Sequence, residues 1–122
     1  MIGQENHEVL ETGYFVEQLM KKWSGVSVVF INKPDTPILQ FSTTDDFYVL
    51  GDFFGTGVWY QAFSSEDTAR FALWYRSIVP VEWKLQFYDS GLYFDRMFIT
   101  NDTTEEEILA GFNIPFDISK YE

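Results

Sequence analysis

Two aromatic-rich segments, Phe47–Phe54 and Val58–Phe63, meet at Gly55-Thr56-Gly57. Aromatic and β-branched side chains suit a pleated, half-buried surface, and glycine adopts the positive φ that a tight reversal needs. The pair therefore predicts a β-hairpin, which commits the fold to antiparallel pairing. Gly51, inside the first of these strands, predicts a bulge. A lone hairpin is marginal in water, so the flanking segments must supply further strands and helices to pack on it.

They do so in a definite order. Between Glu5 and Trp23, the residues Val9, Leu10, Phe15, Val16, Leu19, Met20 and Trp23 recur at helical spacing, with acids early and Lys21 and Lys22 late, which predicts an amphipathic helix. Ser24-Gly25 ends it, and strands are expected at Val26–Ile31 and Ile38–Ser42 around the turn Asn32-Lys33-Pro34-Asp35. A polar break at Thr43-Thr44-Asp45-Asp46 leads into the hairpin. Ser64-Ser65-Glu66-Asp67 then reads as a helix start, a hydroxyl capping free N–H groups with acids in the first turn. That helix runs to about Ile78, and its inward stripe is either Phe71, Trp74, Tyr75 and Ile78 or Ala69, Ala72 and Leu73; periodicity does not choose. Pro80 closes it.

Strands at Glu82–Tyr88 and Tyr93–Ile99, joined by Asp89-Ser90-Gly91, and a short helix opened by Asp102-Thr103-Thr104-Glu105 complete the series. Residues 113–122 are expected to be extended. The chain is thus expected to be one α+β domain over residues 1–122, with a single, mostly antiparallel sheet of about six strands, two longer helices and one short C-terminal helix. Three modest helices cover one face of such a sheet, which leaves rings on the other face as a binding surface.

Charge narrows the function. Nineteen Asp and Glu oppose eight Lys and Arg, for a formal net charge of -11. Nucleic acid and anionic membrane surfaces are poor direct partners, because both are held through Lys and Arg, whereas a basic protein is steered inward. The absence of cysteine excludes disulfides, thiolate nucleophiles and sulfur-ligated zinc. With no secretory pattern in the first eight residues and no apolar run of membrane-spanning length, the expected compartment is the cytoplasm, with a monomer or homodimer as the unit.

No catalytic, cofactor-binding or metal-binding residue is assigned. His7 is the sole histidine and sits near the start, away from any serine elbow. Asp45, Asp46, Asp52, Asp89 and Asp95 lack the spacing of a known cation loop. Between Lys33 and Arg70, however, no basic residue accompanies Asp35, Asp45, Asp46, Asp52, Glu66 and Asp67, and the same stretch is crowded with rings. Asp45, Asp46, Asp52, Tyr48, Trp59, Tyr60, Glu66 and Asp67 are therefore the candidate contact residues for a basic protein, since aromatic anchors amid charge are the makeup of tight interfaces. The competing reading is a packed aromatic core beneath ordinary solvated acids.

The aromatic hairpin, the helix opened by Ser64-Ser65-Glu66-Asp67, the strand ending Phe98-Ile99-Thr100 and the run Thr103-Thr104-Glu105-Glu106-Glu107-Ile108 together resemble small acidic bacterial immunity proteins, over Phe47 to Phe112. The resemblance lies in composition and element order and transfers no individual residue. It implies a non-enzymatic protein, encoded beside a polymorphic or contact-dependent growth-inhibition toxin, that binds a basic toxin domain, often a nuclease, and blocks it. Two other classes remain open: an acidic mimic of nucleic acid that inhibits a DNA-binding protein, and a small ligand-binding domain with an aromatic pocket.

Overall fold

A computed structural model of the chain describes residues 1–33, 36–43, 49–87 and 97–112. The elements are β1 (Ile2–Gln4), α1 (Thr12–Lys22), β2 (Ser27–Lys33), β3 (Thr36–Ser42), β4 (Val49–Phe53), β5 (Gly57–Ala62), α2 (Ser65–Ile78), β6 (Leu85–Phe87), β7 (Met97–Ile99) and α3 (Glu105–Phe112). Seven strands form one antiparallel sheet in the order β2-β3-β4-β5-β1-β6-β7. The α+β architecture with one antiparallel sheet and three helices is as the sequence predicts.

The seventh strand is β1, at the very segment expected to precede or begin a helix. Ile2 pairs with both Val58 and Phe87, so this short strand joins the hairpin to the β6–β7 ribbon within the sheet. Helix α1 accordingly begins at Thr12 rather than near Glu5. Three further local expectations are corrected. Gly51 is in unbroken register with Phe41 and Tyr60, with no bulge; a Cβ there would lie 2.6 Å from the Phe41 ring, so glycine makes room for a core side chain. Residues Glu82 to Lys84 are not strand: Trp83 N–H donates to the Pro80 carbonyl at 3.0 Å in a turn, and β6 starts only at Leu85. The inward face of α2 merges the two stripes: Ala69, Phe71, Ala72, Tyr75 and Ile78 are all buried, and Arg76 with them. The Asp89-Ser90-Gly91 link, residues 93–96 of the last strand and the 113–122 tail lie outside the described residues.

Local chemistry sets the helix starts. The Ser64 hydroxyl accepts from Asp67 N–H at 3.1 Å. Thr104 and Glu107 exchange side-chain-to-backbone hydrogen bonds at 3.2 and 3.3 Å, a capping box that satisfies two otherwise orphaned donors. Gly55 takes φ +87 in the reversal between β4 and β5.

All three helices pack on the same face. Phe15 of α1 stacks on Phe53 of β4 at 4.0 Å and meets Phe41 of β3 edge-on at 5.6 Å. Phe71 of α2 stacks on Phe41 at 5.6 Å and lies 4.4 Å from Tyr60. Ile108 of α3 is fully buried in the same cluster. Each buried ring contributes roughly 1.5–3 kcal/mol, and each ring pair about 0.5–1.5 kcal/mol more. A polar side chain also sits in this core: Gln4 Nε2 donates to the Glu8 and Gly55 carbonyls at 3.0 Å each, and its Oε1 accepts from the Tyr75 hydroxyl at 2.9 Å.

Candidate functional site

Strand alternation sends every second residue away from the helices. On β4 that places Val49, Gly51 and Phe53 inside and Leu50 and Asp52 outside; on β5, Val58 and Tyr60 are inside and Trp59 and Gln61 outside. Directly opposed residues share a face, so the pairings Val29↔Gln40, Gln40↔Asp52 and Asp52↔Trp59 make one row across four strands on the open face. At about 4.8 Å per strand the row spans about 14 Å. A second row, Ser27, Ser42, Leu50 and Gln61, runs beside it.

The open face carries large apolar side chains that water reaches. Val29 is 58% exposed, Leu50 45%, Trp59 46% and Phe98, on the far side of the sheet, 55%. Phe63, in the bend just past β5, is 88% exposed. It stands immediately before the Ser64 cap of α2, whose first turn carries Glu66 and Asp67. Exposed Trp59 thus lies on β5 opposite Asp52, and exposed Phe63 follows the strand just before the two first-turn acids.

The eight candidate residues separate accordingly. Asp52 and Trp59 are cross-strand partners on the open face. Glu66 is exposed and Asp67 half-exposed at the start of α2, close in sequence to Phe63. Tyr60 is a correction: it points to the helix side, its ring packs on Phe71, and its hydroxyl donates to the Thr68 carbonyl at 2.7 Å. Loss of solvent around that hydroxyl holds its pKa well above the usual tyrosine range. It is a core residue, as the parity of β5 demands once Val58 is buried. Asp45, Asp46 and Tyr48 lie outside the described residues. Leu50 and Phe63 are absent from the sequence-based set, although both are exposed.

Among the described residues two ion pairs form, Lys21 with Glu17 at 3.1 Å and Arg70 with Glu105 at 3.6 Å, both largely open to solvent. Neither involves Asp52, Glu66 or Asp67. The negative potential of these acids is therefore not cancelled by a contact cation among the described residues, and exposed pairs of this kind are worth little in any case.

Two other features have structural explanations. A cavity of about 600 Å³ is lined by Arg76, Trp83, Lys84, Leu85, Phe98 and Ile99 among others. Its buried Arg76 donates to the carbonyls of Trp83 and Pro80 at 2.6 Å each, to that of Val79 at 3.3 Å and to Asn101 Oδ1 at 3.2 Å. The guanidinium thus caps the C-terminal end of α2 and ties it to the 80–83 turn. Burial lowers its pKa from the usual arginine value, against an opposing pull from Glu82. His7 is exposed with φ +60, and its N–H donates to the Gln4 carbonyl at 3.3 Å in a turn. Among the described residues no group of three or more His, Asp or Glu is placed to hold a metal ion, and no helix is long and apolar enough to cross a membrane.

No protein-family model, curated protein or solved structure matches the chain.

Proposed function

We propose that the chain is an inhibitory binding protein of the small acidic immunity type, acting in the cytoplasm, which docks the β4–β5 part of its open sheet face onto a basic protein domain and covers that domain's active cleft. The observation that carries the reading is the exposure of Trp59 on β5 beside Leu50 and Asp52, followed just past the strand by exposed Phe63 and the first-turn acids Glu66 and Asp67 of α2. Rings supply apolar area at low conformational cost, and the acids set orientation and attract a positive partner. A basic nuclease domain has that charge because its substrate is anionic. The acids then take the place of phosphates, and the rings exclude water around them.

The sheet is suited to this as a rigid platform. Its helix-covered side is packed with stacked rings, so the open-face side chains are held in place by strand register rather than by a mobile loop. The test is to mix the purified chain with the protein encoded by the adjacent gene and measure Kd against ionic strength. The reading expects a complex with fast association at low salt that weakens as salt rises. No complex at low salt overturns it, and selective capture of a resident DNA-binding protein instead assigns the chain to the nucleic-acid mimics.

A further inference from the structure

We infer that the outer edge of β2 is a self-association surface, through which two copies of the chain pair antiparallel and extend their sheets into one. This is independent of the partner reading above and leaves the β4–β5 face open.

Three observations lead to it. First, β2 ends the sheet, and among the described residues no strand pairs with its outer side. It is seven residues long and in continuous register with β3 from Ser27↔Ser42 to Lys33↔Thr36. Edge strands are normally blunted by shortness, proline, bulges or charges along the strand. β2 has no proline, no bulge and one charge, Lys33 at its end.

Second, large apolar side chains on both sides of this edge are exposed. Phe30 pairs with Leu39, which is 4% exposed in the core, yet Phe30 itself is 56% exposed, although Val28 on the same face packs partly against the core. Val29, on the open face, is 58% exposed. Two adjacent large apolar residues of one edge strand are therefore in water on opposite faces.

Third, the charge permits a second copy here. From Gln18 to Pro34 the sequence has no Asp or Glu and three lysines, in a chain of net charge -11. Two such chains repel each other overall, and pairing through this stretch sets no acid of its own against the second copy's stretch. Pairing the whole of β2 with itself puts Phe30 on the two-fold axis against Phe30 of the second copy. Lys33 then falls opposite Ser27, Val28 opposite Asn32, and no like charges stand directly across. Such a two-fold contact is closed, giving a dimer and not a filament.

The absence of cysteine allows a register-specific test. Directly opposed residues of an antiparallel pair have Cα atoms about 4.5–5.5 Å apart, inside the disulfide range. The Phe30→Cys chain is expected to oxidise to a covalent dimer at least tenfold faster than a Val81→Cys control, whose residue is 65% exposed just past the end of α2. In the unmodified chain, sedimentation should show a dimer whose Kd falls about tenfold or more from 0.01 M to 0.15 M salt, as screening removes the net repulsion. Phe30→Lys, at an already exposed position, should weaken it about thirtyfold or more with the helical circular-dichroism signal unchanged. A monomer at all salt concentrations, or equal cross-linking of the two cysteine variants, overturns the inference.

Discussion

Asp52 and Trp59 stand directly opposite each other on neighbouring strands, on the face of the sheet that no described helix covers. The carboxylate and the indole are thus presented side by side, and a partner that covers one must contact the other. Replacing Asp52 with Lys reverses the charge at a partly exposed position and should leave stability within about 0.5 kcal/mol. The account expects association with a basic partner to slow and its salt dependence to flatten, read by stopped-flow kinetics.

Gly51 makes the opposite kind of prediction, one about packing alone. Its missing side chain is the space into which the Phe41 ring projects, and a Cβ at this position would also stand 3.0 Å from the Trp59 carbonyl oxygen. Gly51→Ala should therefore destabilise the fold by about 1–3 kcal/mol in urea denaturation, since the ring must shift within a stacked cluster. Phe41→Leu in the same background should recover part of that loss by opening room.

The Gln4–Tyr75 hydrogen bond pins the N-terminal strand to α2 inside the core. Tyr75→Phe leaves Gln4 Oε1 without its donor and should cost about 1–3 kcal/mol. Burial, partly opposed by the Gln4 bond, raises the Tyr75 pKa above the ordinary value of 10.0, and burial raises that of Tyr60 as well. Both groups therefore keep their protons in the folded chain at pH values where the unfolded chain loses them. Their contribution is fully present below about pH 10 and is lost as pH rises from there towards the folded values. Denaturation midpoints should fall above about pH 10, and less steeply in Tyr75→Phe.

Arg76 holds four oxygen acceptors at the end of α2 and beyond it. Arg76→Met keeps the buried stem and removes every donor, so the carbonyls of Val79, Pro80 and Trp83 lose the guanidinium together, with Pro80 keeping only its bond from Trp83 N–H. Thermal unfolding should register a loss of about 2–4 kcal/mol.

Features set by neighbouring residues were legible in the sequence. The Ser64 and Thr104 caps, the glycine reversal at Gly55 and the amphipathic α2 each depend on chemistry within a few positions, and the structure has all of them. Strand β1 was not legible, because so short a segment carries no periodicity and its partners Val58 and Phe87 are far along the chain. Gly51 read as a bulge because a glycine in a strand looks the same whether it bends the backbone or admits a ring. The candidate site shows the same limit. Alternation dictates that Trp59 and Tyr60 take opposite faces, but which parity meets the helices is decided by Phe71 and Phe41 packing from elsewhere in the chain. Phe63 lies beyond the last strand residue, where alternation no longer assigns a face, and its exposure follows from its place between the end of β5 and the start of α2.

The most direct measurement is a titration of the product of the adjacent gene with Trp59→Ala, Phe63→Ala and, as an exposed site away from β4 and β5, Val81→Ala. The account predicts that each ring variant weakens binding by about thirtyfold or more, while the Val81 variant binds as the unaltered chain does. Full affinity in both ring variants would contradict it.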